Sequence, residues 1–345
     1  MVELKLNFDE SKCLRCKTYD CLVKCQFLGL DREKAKVEME KIIKGEDSSV
    51  LNDCITCYAC EEYCKFGNHP FYLIVERQEA KGILPAPKPI IKQWVQMGEL
   101  TKKEKEFEVK PLKEPVVSLC FIPALQPLIQ GKLFEGVSTI CGRHIFCNVV
   151  YLHFARSSVI KERIPIIVEN IAKYKIKELI CYHDECYGLF KSLAPAYGID
   201  VPFKPTHLFE YLYNKLKENE DKIRPLNIKV AYQRSCSSRL TPEKEHFVDD
   251  IFNLIGVKRV EREYDRENSL CCAGIIRLHG NYELYNDLQK RNVEDMKKFG
   301  VEYCVFNCPY CYMFLSERVS KNGIKPIMMS EICRLALGEK PVRWV

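Results

Sequence analysis

The chain has 345 residues, of which 47% are apolar, enough to bury two or three cores. Its 53 Lys and Arg are interleaved with 47 Asp and Glu, so the formal charge of +6 describes a solvated surface and implies no nucleic-acid partner. Twenty cysteines in a chain that opens on MVELKLNFDESK, with no apolar leader, point to a reducing, cytoplasmic setting and to metal in place of disulfides.

Residues 1–82 form the first predicted unit. They hold Cys13, Cys16, Cys21 and Cys25, then Cys54, Cys57, Cys60 and Cys64. Asp31 to Asp47 between the groups has helical periodicity and good helix formers. After the second group, HPFYLIVERQEAKG reads as a helix with Pro70 near its start. Residues 83–115 read as a linker punctuated by Pro85, Pro87, Pro89, Pro111 and Pro115, with a helix expected within QWVQMGELTKKEKEF. Val116 to Ile129 is the longest apolar-rich stretch, but it is too short and too broken by proline to span a bilayer. Docking on a membrane subunit stays open.

From Val116 short apolar runs alternate with amphipathic ones. VVSLCFI, KELICY, IKVAYQ, VKRVER and VEYCVFN read as strands. IPIIVENIAKY, THLFEYLYNKLKE, EHFVDDIFNLIG, NDLQKRNVEDMKKFG and YCYMFLSERVSKNG read as helices. The alternation predicts α/β architecture with parallel strands. Positions 125 residues apart also correspond: Cys186 with Cys311, Tyr187 with Tyr312, Gly198 with Gly323, and Cys147 with Cys272. Residues 116–224 and 225–345 are therefore expected to be two related halves, joined near Asn219 to Pro225.

The run Cys54-x2-Cys57-x2-Cys60-x3-Cys64 matches that of bacterial two-cluster ferredoxins, and the first group is the same run with two extra residues. In such runs the fourth cysteine serves the other cluster. Cys13, Cys16, Cys21 and Cys64 are thus assigned to one [4Fe–4S] cubane, and Cys54, Cys57, Cys60 and Cys25 to another. Gln26 and Lys65 stand where proline usually follows the fourth cysteine. Zinc knuckles are the competing reading, but structural zinc wants ligands in two pairs.

Cys236, Cys271-Cys272 and Cys308-Pro309-Tyr310-Cys311 complete the pattern. This five-cysteine arrangement resembles the CCG motif of heterodisulfide reductase subunits and their relatives. The order of parts resembles fused members of that family: a helical two-cluster ferredoxin domain followed by two pseudo-repeated α/β CCG-type halves. The resemblance implies that these five cysteines hold a noncubane [4Fe–4S] cluster and act in disulfide or thiol redox chemistry. It implies an anaerobic oxidoreductase subunit in a hetero-oligomer, with a flavoprotein, another redox subunit or a soluble carrier as partner. Ala273 precedes Gly274 where the family has glycine directly after the cysteine pair.

The first half departs further, keeping Cys120, Cys147 and Cys186, with Phe146 and His183 at the other two positions. Either it is a scaffold that lost its cluster, the reading favoured from sequence, or Cys120, Cys147, His183 and Cys186 form an extra zinc or iron–sulfur site. Cys141, Cys181, Cys304 and Cys333 fit neither motif; Cys181 and Cys304 lie in apparent strands and read as buried thiols. His144 and His153 lie near Cys147, where either could donate protons, although ordinary histidines are commoner; His207 opens a helix and reads as structural. Arg234, Arg239 and His279 lie near the motif, where arginine would steady an anionic substrate. No GxGxxG or Walker sequence appears. Two other functions stay open: an electron relay in a larger dehydrogenase, or a zinc-stabilised interaction protein.

Overall fold

The computed structural model describes residues 6, 8–101, 104, 106–342 and 344. Residues 1–5 and 7, and Lys102, Lys103 and Lys105 of the expected linker helix, lie outside them.

The N-terminal unit is helical: α1 (Glu10–Leu14), α2 (Asp20–Val23), α3 (Arg32–Lys44), α4 (Ser49–Asp53), α5 (Ala59–Tyr63) and α6 (Pro70–Ala80). Helix α3 lies where its periodicity predicts. Asp31 caps it by accepting from Lys34 N at 2.9 Å, and Gly45 ends it in the left-handed region. Its buried face, Ala35, Met39, Ile42 and Ile43, packs with Leu73 and Ile74 of α6. The buried Arg77 satisfies the last carbonyls of α3 through Ile42 O and Ile43 O, both at 3.0 Å.

Helix α7 (Lys88–Met97) occupies the linker and stops earlier than its sequence pattern suggests, at Gly98. A Cβ there would meet Arg163 Nη1 at 2.0 Å. The bare backbone leaves room for Arg163, whose Nη2 donates to Val95 O at 3.1 Å.

Two four-stranded parallel sheets follow. The first holds β1 (Val116–Ser118), β2 (Ser138–Ile140), β3 (Glu178–Cys181) and β4 (Lys204–His207), in the order β2-β1-β3-β4. The second holds β5 (Ile228–Gln233), β6 (Val257–Arg259), β7 (Tyr303–Phe306) and β8 (Lys325–Met328), in the equivalent order β6-β5-β7-β8. The register repeats as well: Leu179 pairs with Pro205, and Cys304, 125 residues on, pairs with Pro326. Five strands match the sequence reading, while β2, β4 and β8 escape it.

Around the sheets lie α8 (Ser157–Ala172), α9 (Asp184–Gly188), α10 (Leu208–Lys217), α11 (His246–Leu254), α12 (Gly274–Leu278), α13 (Tyr282–Lys298), α14 (Pro309–Lys321) and α15 (Met329–Ala336). The halves share one core, because α10 packs on both α11 and α15. They also meet at corresponding residues: Asn307 Nδ2 donates to Tyr182 O at 3.3 Å. Cys120, His183, Cys236 and Cys308 lie just beyond the carboxyl ends of β1, β3, β5 and β7, where open α/β sheets collect their ligands. Among the described residues no helix is long and apolar enough to cross a membrane.

Candidate metal and redox centres

All twenty cysteines are unpaired thiols. Cys13, Cys16, Cys21 and Cys64 line one small pocket in the N-terminal unit. Asn68 spans it, donating from Nδ2 to Cys13 Sγ and from its backbone N to Cys64 Sγ, both at 3.3 Å. Tyr19 N reaches Cys16 Sγ at 3.4 Å. Burial raises the Cys54, Cys57 and Cys60 thiols. Cys25 adds to the rise at Cys54 and Cys57, and those two add to that at Cys60. Cys13, Cys16, Cys21 and Cys64 thus share one pocket, and Cys25 lies close enough to Cys54 and Cys57 to affect their ionisation. Short helices position them: α2 carries Cys21 and α5 carries Cys60, each entered from a left-handed tyrosine, Tyr19 or Tyr58.

The C-terminal five, Cys236, Cys271, Cys272, Cys308 and Cys311, line one pocket. Cys236 opens the turn after β5, and Cys308 and Cys311 lie at the start of α14. The loop between is anchored by amides. Gln289 Nε2 donates to Cys272 O and Phe314 O, at 3.0 and 2.7 Å, and Gln233 Nε2 to Leu270 O at 3.0 Å. Ala273 N donates to Cys271 Sγ at 3.3 Å. Ala273 takes φ 65°, a left-handed conformation that favours glycine, so the loop keeps the backbone turn without glycine there. Gly274 is needed for a different reason: a Cβ would meet Phe314 Cδ2 at 2.4 Å. Gly274→Ala should therefore cost about 1–3 kcal/mol by overpacking, readable as a lowered midpoint in urea unfolding.

The fourth group lies in the first half. One ligand atom each from Cys120, Cys147, His183 and Cys186 all lie within 4.8 Å of one another, and all four residues are buried. Cys186 Sγ is 3.4 Å from His183 Nε2. Tetrahedral zinc, with Zn–S about 2.3 Å and Zn–N about 2.0 Å, separates such atoms by about 3.5 Å. The four atoms therefore stand close enough together for one ion, the four-ligand alternative of the sequence reading.

Of the remaining thiols, Cys181 and Cys304 are buried as expected; Cys333 is buried as well, and Cys141 is half-buried. The arginines depart from expectation. Arg234 and Arg239 are only 2% exposed and pair with Glu62 of α5, at 2.5 and 3.4 Å, so they are not free to hold a substrate anion. Instead they clamp the N-terminal unit to the second half. Arg239 also donates to Cys57 O at 3.3 Å and Ser269 O at 2.9 Å.

His153 is the residue that sequence reading undervalued. Its Nδ1 hydrogen-bonds Thr56 Oγ1 at 3.0 Å, and its Nε2 lies 3.6 Å from Cys236 Sγ. Thr56 sits between Cys54 and Cys57. His153 therefore joins the second cysteine set to the five-thiol pocket. Burial pushes its imidazole down to about 4, so it is neutral near pH 7. His279 donates from Nε2 to His153 O at 3.0 Å.

A family model for a cysteine-rich domain named CCG matches residues 230–316, the segment from β5 to α14 that carries all five thiols. The chain carries a CCG cysteine-rich domain. Its resemblance to heterodisulfide-reductase-like subunits is supported by a second comparison. The chain is 25% identical over 157 residues to a subunit of the fumarate reductase (CoM/CoB) of Methanothermobacter marburgensis (strain Marburg). The match covers 44% of this chain and 30% of that relative, so the chain spans under a third of its length. In fold, the chain is similar to the crystal structure of a hypothetical protein from Helicobacter pylori. The TM-score is 0.55 at 15% identity, over 93% of this chain and 67% of that one.

Proposed function

We propose that this chain is a heterodisulfide-reductase-like subunit that moves electrons between its N-terminal cysteine sets and the CCG pocket for disulfide and thiol redox chemistry. Cys13, Cys16, Cys21 and Cys64 would hold one [4Fe–4S] cubane, and Cys25, Cys54, Cys57 and Cys60 the other. Cys236, Cys271, Cys272, Cys308 and Cys311 would hold a noncubane [4Fe–4S] centre. The donor sets fit such groups. Thiolates gathered in one pocket need a strong positive charge beside them, and among the described residues no lysine or arginine lines the five-thiol pocket. When bound, the noncubane centre supplies one-electron steps and an iron able to take a substrate sulfur.

The observation that carries this reading is the Thr56–His153–Cys236 bridge, which brings the second cysteine set against the CCG thiols. The first set lies farther out. Its neighbours Leu14 and Phe66 are 62% and 46% exposed, beside the exposed Arg15, Lys17 and Lys65. That face suits a one-electron carrier, a flavoprotein or another redox subunit. The matched relative is itself a subunit, which supports a hetero-oligomer. Cys120, Cys147, His183 and Cys186 would hold one structural zinc ion.

Iron analysis of anaerobically purified protein tests the proposal. It should give about twelve irons per chain for three [4Fe–4S] clusters. Cys271→Ser should leave about eight, abolish disulfide turnover and spare the reduced ferredoxin-type EPR signals. Turnover that survives the substitution would remove the CCG pocket from the chemistry. Twelve irons without turnover of any disulfide would make the chain a relay.

A further inference from the structure

Tyr58 stands between Cys57 and Cys60, at the entry to α5, and is fully buried. Its ring lies 4.1 Å from that of Phe71 and 4.9 Å, edge-on, from that of His153, centroid to centroid. These contacts hold it beside the imidazole whose Nε2 is 3.6 Å from Cys236 Sγ. The Tyr58 hydroxyl is buried and has no hydrogen-bond partner among the described residues. Other tyrosines of the same core are met: Tyr72 by Ser192 Oγ at 3.2 Å, and Tyr151 by Trp94 O at 2.7 Å.

A buried hydroxyl without a partner costs free energy, and few native ones go unmet. Burial raises this one well above the usual tyrosine range, so it keeps its proton and is able to donate. Cys236 is the charge that adds most to the rise, followed by Glu185. Both line the CCG pocket. The backbone of Tyr58 thus belongs to the second cysteine set, while its hydroxyl lies toward the CCG thiols. Glu185 is already engaged, its Oε2 accepting from Cys147 Sγ at 3.7 Å. Reduction adds negative charge to an iron–sulfur centre, so a donor to its sulfur favours the reduced form and raises the potential.

We propose that the Tyr58 hydroxyl is a positioning donor to the sulfur shell of the CCG centre and raises that centre's reduction potential. This rests on the reading of Cys236, Cys271, Cys272, Cys308 and Cys311 as holders of an iron–sulfur centre. A higher potential there favours electron flow from the N-terminal sets toward the CCG pocket.

The test is an EPR-monitored redox titration of the anaerobically purified full chain, as parent, Tyr58→Phe and Tyr72→Phe. Phenylalanine keeps the ring and deletes only the oxygen, so Tyr58→Phe should retain about twelve irons and the parent's thermal midpoint. Its CCG-centre equilibrium should move at least about tenfold toward the oxidised form, a fall of about 59 mV for one electron. The cubane potentials should stay where they are, and Tyr72→Phe should move none of the three. An unchanged CCG potential in Tyr58→Phe, or an equal shift in Tyr72→Phe, overturns the inference. A shift confined to a cubane gives the hydroxyl to the second cysteine set and overturns it too. If Tyr58→Phe loses iron, 3-fluorotyrosine at position 58, a stronger donor of nearly the same shape, should raise the CCG potential; no rise overturns the inference. A parent with about eight irons and no third centre sinks the iron–sulfur reading of the five cysteines, and this inference with it.

Discussion

Replacing Asp184 with alanine should cost about 3–5 kcal/mol of unfolding free energy, the penalty for stranding a buried partner charge. Asp184 opens α9 in the first half and is 1% exposed. Its Oδ1 lies 2.9 Å from Lys244 Nζ and 3.3 Å from His207 Nε2, and its Oδ2 accepts from Ser235 Oγ at 2.7 Å. Lys244 and Ser235 belong to the second half. Lys244 is 2% exposed and has only Glu245, at 3.5 Å, as another anion nearby. Burial by itself would raise the Asp184 carboxyl, but Lys244 and His207 outweigh it and hold the group well below the usual carboxylate range. A depressed native pKa adds stability that is complete above the unfolded value of about 3.9 and is lost as the pH falls below it. The Ala variant should therefore lose most against the parent near neutral pH and least in acid. Urea unfolding at both pH values measures this. A loss under about 1 kcal/mol, the scale of an exposed pair, would mean that the network does not join the halves.

Cys186→Ser should remove the first-half metal site as a unit. Zinc should fall from about one per chain to near zero, with iron unchanged. The cost should exceed that of a simple thiol-to-hydroxyl exchange, because binding free energy at a structural metal site is folding free energy. The Cys120, Cys147 and His183 ligands are fully buried and would be left without a centre to hold them. Their loops support the rest of the half: Cys120 follows β1, and Cys147 N donates to Cys120 Sγ at 3.3 Å. Metal analysis with a thermal melt checks both points. Loss of iron in place of zinc would overturn the single-ion reading and return the site to iron–sulfur chemistry.

Much of this was legible because cysteine spacing is local. The two N-terminal groups are read within short windows, the CCG pattern from its Cys pair and its CxxC, and the CCG domain match spans all five C-terminal thiols. IKVAYQ is read as a strand and is β5 without change. Strands β4 and β8 hid because they are short edge strands carrying proline at corresponding positions, Pro205 and Pro326, which spoils the strand pattern. The bridge through His153 was hidden by distance along the chain. Its partners are 97 and 83 residues away, and nothing in the flanking residues marks the histidine. Arg234 and Arg239 misled for the complementary reason: proximity to Cys236 in sequence says nothing of Glu62, 172 residues off. The four-ligand site was named from the repeat, but only the fold brings its four atoms within reach of one ion.

The hydrogen bond from Asn307 to Tyr182 joins positions that the repeat makes equivalent. Helices α10 and α15, which follow the equivalent edge strands, also pack on each other. Contacts between equivalent positions are the mark of a two-fold axis, as at the self-complementary interface of a homodimer. Within one chain that symmetry carries no obligation to keep the halves alike. In a true dimer every substitution appears twice, so a ligand lost from one site is lost from both. Covalent fusion releases that constraint, so one half can keep five thiols for electron chemistry while the other exchanges two for a histidine and a simpler ion.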